Sequence, residues 1–320
     1  MSSTKLKLLN LNMNPFMKNA IRGIIPPMIT PLMDNNTLDV EGLERLIEHI
    51  LLGGVHGLFI LGSTGEAPSL SYKLRHELVE RVCRQVAKRV PVLVGITDTT
   101  ISESFHLADK AAESGAYAVV SAPPYYFAPG QSELIEYYEH LTKRLPLPLF
   151  LYNMPSLTKV YFEPDTVRTI AENPHIVGLK DSSANTVYFQ LLFYTMKNRP
   201  DFTLLVGPEE VTAEVVLMGG HGGVNGGANM FPRLYVNMYN AAFNRDFKSL
   251  LPLQERILQI STTIYRVGHF SSSYLKGIKC VLSLLGVCND FMAEPFHKFR
   301  ENEKKIIKQF LNELNYKELI

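Results

Sequence analysis

Lys180 is the residue with the clearest capacity for chemistry in this chain. It ends the apolar run Ile176 to Leu179, which reads as a buried strand, and such a strand rarely ends in an ammonium group without a chemical reason. A lysine amine attacks a carbonyl carbon when its surroundings favour the neutral form. We therefore expect Lys180 to be a Schiff-base nucleophile. Taken alone, a strand-end lysine reaching into solvent would give the same pattern.

Polar residues follow two other apolar runs in the same way. Ser63 and Thr64 stand between Gly62 and Gly65, and their hydroxyls beside free backbone N–H groups would suit a carboxylate, although a plain turn fits the motif as well. Tyr152 ends the run before Asn153 and could relay protons to and from a carbinolamine. The alternative for Tyr152 is an aromatic residue at the rim, hydrogen-bonded to the backbone.

The period of a strand decides which neighbours share the face of Lys180. Alternation places Gly178, Lys180 and Ser182 on one face, and Leu179 and Asp181 on the other. Asp181 is therefore not expected to pair with Lys180. Gly178 would leave room beneath the amine for a keto acid carbon, although a barrel layer also takes a small residue for packing.

Short apolar runs alternate with segments of helical period along most of the chain. Continuous apolarity is typical of parallel strands covered on both faces. The predicted strands are 23–32, 58–62, 91–97, 118–121, 147–152, 176–180, 202–206 and 222–225. Eight strand–helix units predict an α/β fold, the (β/α)8 TIM barrel, over residues 23–231. Residues 232–320 would form an appended C-terminal helical region, ending in a solvated helix, and residues 1–22 an N-terminal extension.

Composition excludes several classes of partner. The 32 basic residues balance 31 acidic ones, so no basic excess is available for nucleic acid, and no apolar run is long enough to span a membrane. The cysteines Cys83, Cys280 and Cys288 are odd in number and lie in apolar helical stretches, which predicts reduced packing thiols in a cytoplasmic protein. The scattered histidines form no motif for a metal.

Taken together, four segments resemble the dihydrodipicolinate synthase and N-acetylneuraminate lyase superfamily in order and spacing, over residues 23 to about 299. They are Gly62-Ser63-Thr64-Gly65-Glu66, Pro124-Tyr125-Tyr126, Tyr152-Asn153-Met154-Pro155 and Gly178-Leu179-Lys180-Asp181. The resemblance implies that Lys180 forms an imine with pyruvate, that Tyr152 shuttles protons, and that Ser63 and Thr64 hold the pyruvate carboxylate. It implies no metal or organic cofactor, because the protonated imine is the electron sink.

The same resemblance implies a homo-oligomer, typically a dimer of dimers, in which Tyr126 is lent across a dimer interface. Its substrates are small 2-keto acids. Further candidates for substrate contact are Ser182 on the lysine face, the segment Gly207-Pro208-Glu209-Glu210, and Asn225 with Gly226.

Departures from the family pattern bear on the substrate. Synthases carry an arginine after the strand-five tyrosine for the carboxylate of the aldehyde, whereas this chain has Leu157, as sialic acid lyases do. The acidic pair Glu209-Glu210 matches the lyase residues that contact sugar hydroxyls. Lyases also carry hydroxyl residues after strand eight, where Gly226 and Gly227 would instead widen the pocket. We therefore expect a class I aldolase that forms pyruvate and an aldehyde from a hydroxylated 2-keto acid, such as a 2-keto-3-deoxy sugar acid or N-acetylneuraminate.

Three other functions are compatible with this sequence. A synthase that condenses pyruvate with aspartate semialdehyde is disfavoured by Leu157. A phosphate site in the glycine-rich loop 219–227 would make the substrate a phosphorylated sugar, but His221 is the one basic residue there. A catalytically silent ligand-binding homologue is expected to have lost residues such as Lys180 and Tyr152, which this chain keeps.

Overall fold

Buried apolar runs form a single eight-stranded parallel sheet in the computed structural model, which describes residues 20–319. The ten strands are β1 (Gly23–Ile24), β2 (Leu32–Asp34), β3 (Thr37–Leu38), β4 (Leu58–Ile60), β5 (Val92–Gly95), β6 (Ala118–Ser121), β7 (Leu149–Asn153), β8 (Ile176–Asp181), β9 (Thr203–Val206) and β10 (Gly222–Gly223). The sheet runs β1-β10-β9-β8-β7-β6-β5-β4, and a parallel bridge between Pro27 and Phe59 closes it. The predicted TIM barrel is confirmed.

The helices follow the strands as the sequence period predicts. They are α1 (Val40–Leu52), α2 (Tyr72–Val86), α3 (Ile101–Glu113), α4 (Gln131–Thr142), α5 (Pro155–Thr158), α6 (Pro164–Ile170), α7 (Thr186–Thr195), α8 (Thr212–Leu217), α9 (Pro232–Phe243), α10 (Phe247–Thr262), α11 (Ser273–Leu284) and α12 (Glu301–Glu313). Helix α9 follows β10 and packs against β1 and α8, so it completes the eighth unit. We therefore propose that the appended region begins after α9 rather than at residue 232.

The first predicted strand, 23–32, is too long. Pro26, Pro27 and Pro31 lack a backbone N–H, so this segment cannot pair continuously with its neighbours, and β1 ends at Ile24. A separate antiparallel pair, β2 with β3, follows it and was not predicted. Residues 1–19 of the predicted N-terminal extension lie outside the described residues.

The end of the chain is packed more closely than its sequence suggests. Helix α12 buries Ile307 and Leu311 and contacts α11, so the prediction of a fully solvated helix is wrong for this face. All three cysteines are buried and free, and burial raises the pKa of Cys83 to about 11, as expected of packing thiols. None of the described helices has the length and apolarity needed to cross a membrane.

Candidate active site

Lys180 and Tyr152 are brought side by side by the pairing of their strands. Strand β7 pairs with β8 in the register that places Tyr152 opposite Lys180. The Lys180 Nζ atom lies 4.1 Å from the centre of the Tyr152 ring and 5.2 Å from that of Phe59, and Lys180 is only 6% exposed. Parallel strands end at the same edge of the sheet, so both side chains reach the carboxyl-terminal mouth of the barrel.

The other face of β8 carries Asp181, as the strand period predicts. Its carboxylate accepts hydrogen bonds from Asn153 Nδ2 at 2.8 Å and from Ser183 Oγ at 2.9 Å. Burial raises the pKa of Asp181, and these donors oppose the rise. Asp181 therefore secures the strand ends on the side away from the lysine.

Ser63 connects the loop after β4 to the Tyr152 phenol. The Ser63 and Tyr152 hydroxyl oxygens share a hydrogen bond of 3.4 Å. Burial by itself raises the pKa of Tyr152, but the positive charge of Lys180 and the nearby Ser63 and Ser182 hydroxyls lower it, and the net direction is downward. A phenol whose pKa is lowered towards neutrality is better suited to proton transfer than a free tyrosine.

Two glycines near the lysine are explained by packing. A Cβ at Gly207 would overlap the Ser182 hydroxyl and lie 3.4 Å from Cε of Lys180, so this glycine makes room for both side chains. A Cβ at Gly178 would overlap the Phe150 ring and lie 2.7 Å from the Thr203 carbonyl oxygen. The space at Gly178 is thus filled by a barrel side chain, and the prediction that it leaves room for a keto acid carbon is wrong.

The barrel mouth opens into a cavity of about 600 Å³. It gathers most of the predicted site residues, namely Ser63, Thr64, Tyr152, Lys180, Ser182, Gly207, Glu209 and Glu210. It is also lined by residues from beyond the barrel that no sequence pattern singles out, among them Tyr265, Tyr274, Pro295 and Phe296. Among the described residues lining this cavity, Lys180 is the one basic side chain.

Three predicted site residues, Tyr126, Asn225 and Gly226, lie outside this cavity. Tyr126 is 81% exposed and its ring contacts Phe127, so it does not reach the mouth of its own barrel. Asn225 is fully buried, and its amide donates to Thr212 Oγ1 at 2.8 Å and to the Gly207 carbonyl at 3.2 Å. Asn225 therefore stabilises the loop after β9 from the side away from the cavity. The prediction that it contacts substrate is wrong.

Gly226 and Gly227 do not widen the cavity. A Cβ at Gly226 would overlap the hydroxyl of Tyr274, and one at Gly227 would overlap the hydroxyl of Tyr235. The two glycines therefore make room for phenols from α11 and α9. The prediction of a wider pocket is wrong, because the vacated space is filled from elsewhere in the chain, and Gly226 itself does not line the cavity.

The model of the dihydrodipicolinate synthetase family matches residues 20–314. The chain belongs to this family. Members are lyases of the pyruvate-dependent class I aldolase type, which bind pyruvate through a lysine Schiff base, and the chain shares that general activity.

Individual members of the dihydrodipicolinate synthetase family match over nearly their whole length. A solved dihydrodipicolinate synthase from Bacteroides thetaiotaomicron is 63% identical, with a TM-score of 0.90 over 92% of this chain and 98% of that one. The 4-hydroxy-tetrahydrodipicolinate synthase of Methanopyrus kandleri is 31% identical over 92% of this chain and 96% of its own. YagE from Escherichia coli, solved with pyruvate, is 30% identical, with a TM-score of 0.87 over 92% and 98% of the two chains.

The family loop Gly62 to Glu66 is anchored by a buried ion pair. Glu66 and Lys279 of α11 are in direct contact, and each side chain is at most 2% exposed. Glu66 also accepts a hydrogen bond from the Ala293 backbone N–H, while Lys279 Nζ donates to the Phe291 carbonyl at 2.7 Å. Lys279 thus ties the hydroxyl-bearing loop to the helices that follow the barrel.

Glu209 is the centre of a second buried network. Its carboxylate accepts hydrogen bonds from the phenols of Tyr235 at 2.6 Å and Tyr265 at 2.8 Å, and from the Gly227 N–H at 2.9 Å. Burial raises the pKa of Glu209 to about 7, against the effect of these donors. The carboxylate oxygens of Glu209 thus already accept hydrogen bonds from the protein. Glu210 is exposed, and its carboxylate is the one of this pair that can bind a substrate hydroxyl.

The raised pKa of Glu209 predicts a pH-dependent contribution to stability. Because the folded state holds this proton more tightly than the unfolded chain, the free energy of unfolding falls as pH rises from about 4.5 to 7 and levels off above. Relative to a Glu209→Gln variant, the wild-type protein should lose about 3 kcal/mol over this window. Urea unfolding of both proteins across this pH range measures the difference, and a constant difference would contradict it.

The glycine-rich loop lacks the charge that a phosphate site needs. His221 is buried, and its Nδ1 atom accepts a hydrogen bond from the Leu204 N–H at 3.0 Å. Burial lowers the pKa of His221 to about 4, so the imidazole is neutral at physiological pH. The loop therefore offers no cation to a phosphorylated sugar.

Proposed function

We propose that this chain is an aldolase that cleaves a hydroxylated 2-keto acid, such as a 2-keto-3-deoxy sugar acid, to pyruvate and an aldehyde. The observation that carries the proposal is the charge of the cavity. Lys180 is its one basic residue among those described, while hydroxyls and the Glu210 carboxylate line the space around it. Such a wall suits a polyhydroxylated chain better than an aldehyde that carries its own carboxylate.

In the proposed reaction the lysine, the tyrosine and the two hydroxyl residues of the β4 loop each have a distinct task. The Lys180 amine adds to the C2 carbonyl of the keto acid, and loss of water gives a protonated imine. Tyr152, poised between Lys180 and Ser63, moves the protons that this step and the cleavage of the carbon–carbon bond require. The hydroxyls of Ser63 and Thr64 bind the carboxylate of the pyruvate part. The intact constellation supports catalysis over a silent ligand-binding role.

Leu157 supports a keto-deoxy acid over aspartate semialdehyde. It lies on α5 at the cavity, 54% exposed, where a guanidinium would be needed to pair with the carboxylate of that aldehyde. The names of relatives favour both functions: the Bacteroides and Methanopyrus proteins are named as synthases, and YagE carries the provisional name 2-dehydro-3-deoxy-D-gluconate aldolase. The synthase is therefore the second candidate that must be tested directly.

Exchanging Leu157 for arginine separates the two candidates. The wild-type protein should release pyruvate from 2-keto-3-deoxygluconate at least about 100-fold faster than it condenses pyruvate with aspartate semialdehyde. Leu157→Arg should raise the condensation about 10-fold, because it restores a partner for the carboxylate. Leu157→Met, similar in size and uncharged, is the matched control and should leave it unchanged. Efficient synthase activity in the wild-type protein would overturn the aldolase proposal.

The filled space at Gly226 and Gly227 also bears on the size of the substrate. N-acetylneuraminate carries a large branched segment beyond the bond that breaks, and the phenols of Tyr274 and Tyr235 occupy the side of the site that glycines were expected to open. We therefore favour a short, unbranched sugar acid over sialic acid.

Tyr126 is the basis of the proposed assembly. Its ring and that of Phe127 are each more than 80% exposed and pack edge to face, away from the cavity of their own barrel. Two adjacent exposed aromatic rings suit a protein interface. We propose that the protein is a homo-oligomer in which Tyr126 extends towards the site of a partner subunit.

A further inference from the structure

Tyr274 is a cavity residue that the proposed imine chemistry does not use. It belongs to the first turn of α11, beyond the barrel, and lines the same cavity as Lys180. Its hydroxyl occupies the place where any side chain at position 226 would begin. The phenol therefore stands at the wall formed by the loop after β10.

The Tyr274 ring is held in place by the network around Glu209. It packs edge to face against Tyr265, with ring centres 4.8 Å apart. The Tyr265 phenol in turn donates to Glu209, and the same carboxylate oxygen accepts the Tyr235 phenol, whose hydroxyl fills the space at Gly227. A buried carboxylate thus fixes the aromatic residue that supports Tyr274, so the phenol meets a ligand without prior rearrangement.

The Tyr274 hydroxyl is a proton donor throughout the physiological range. Burial raises its pKa well above the ordinary value, the charge of Glu209 raises it further, and the neighbouring Thr64 hydroxyl opposes the rise. Tyr152 lies close enough that its own charge also raises this pKa. The cavity is therefore lined by two phenols whose pKa values are shifted in opposite directions, because the pKa of Tyr274 is raised and that of Tyr152 is lowered.

We propose that Tyr274 is a specificity residue that hydrogen-bonds a hydroxyl of the substrate segment released as the aldehyde. This inference rests on the proposed aldolase function and deepens it. Lys180, Ser63 and Thr64 account for the pyruvate part, and Tyr274 lines the same cavity beside Thr64, with its hydroxyl against Gly226. It selects substrates that bear a hydroxyl next to the aldehyde carbon over those that bear only hydrocarbon there.

The test compares two aldehydes in the condensation with pyruvate. Glyceraldehyde carries hydroxyls that Tyr274 would bind, and propanal has the same carbon count without them. Tyr274→Phe keeps the ring against Tyr265 and removes only the hydroxyl. It should lower kcat/KM for glyceraldehyde about 10-fold, and that for propanal less than about threefold. Tyr188→Phe is the matched control, because its buried hydroxyl donates to the Phe162 carbonyl away from the cavity; it should change neither value.

Each outcome decides one of the two proposals. Equal losses for both aldehydes, or no loss for glyceraldehyde, would overturn the role of Tyr274 while leaving the aldolase function in place. A wild-type protein that condenses pyruvate with neither aldehyde would overturn both. Near-UV circular dichroism and a thermal unfolding midpoint that match wild type report that Tyr274→Phe is folded.

Discussion

Lys180→Ala is expected to abolish the exchange of pyruvate methyl protons with solvent. In the proposed mechanism the exchange requires a protonated imine, whose positive nitrogen accepts the electrons of the C3–H bond as the enamine forms. Without the amine no such electron sink exists. The exchange rate in D₂O, followed by proton NMR, should therefore fall by at least about 10⁴-fold. This readout is independent of the identity of the aldehyde.

Two controls separate the loss of the amine from the loss of structure. Lys180→Met fills most of the buried volume beside Phe59 and Tyr152 without a nucleophile, and should be as inactive as Lys180→Ala. Lys197→Ala removes an exposed lysine that contacts the Tyr194 ring and does not line the cavity, and should exchange at the wild-type rate. Exchange retained in either Lys180 variant would mean that another group forms the imine.

Tyr152→Phe is expected to give the second-largest effect. The variant keeps the ring against Lys180 but loses the hydroxyl that Ser63 positions, so the transfer of protons to and from the carbinolamine depends on water. Methyl-proton exchange should fall about 10² to 10³-fold. Imine formation should slow as well, yet an adduct should still accumulate after long incubation with pyruvate.

A matched substitution tests whether this effect belongs to the site. Tyr138→Phe removes a buried hydroxyl that donates to the Ser121 carbonyl at 3.1 Å, outside the cavity, and should leave exchange unchanged. Wild-type exchange in Tyr152→Phe would remove Tyr152 from the proton path. The role would then pass to another cavity hydroxyl, of which Ser182 lies nearest along the face of the lysine.

The part of the site that the sequence predicts is the part built from strand ends. Parallel strands all end at one edge, and alternation within a strand assigns each residue to a face, so local pattern alone places Tyr152 with Lys180 and turns Asp181 away. The same logic locates the Ser63 loop. Those relations depend on neighbouring residues and on the architecture, both of which leave a periodic signal.

The part of the cavity wall formed by segments beyond the barrel could not be predicted from local patterns. The space at Gly226 is filled by a side chain 48 positions further along, and Glu66 is paired with a lysine on α11. Contacts between distant segments leave no local periodicity in the sequence. A glycine whose space stays open therefore cannot be distinguished, from sequence alone, from one whose space is filled by a phenol. The packing role of Gly178 was missed for the same reason, because the Phe150 ring comes from the neighbouring strand.

Reductive trapping with pyruvate and borohydride, followed by intact and peptide mass measurement, tests the central claim most directly. We predict one reduced pyruvate adduct per chain, mapped to the peptide that contains Lys180, and no adduct in Lys180→Ala. An adduct on another lysine, or none in a folded wild-type protein, would contradict the assignment of Lys180 as the Schiff-base nucleophile.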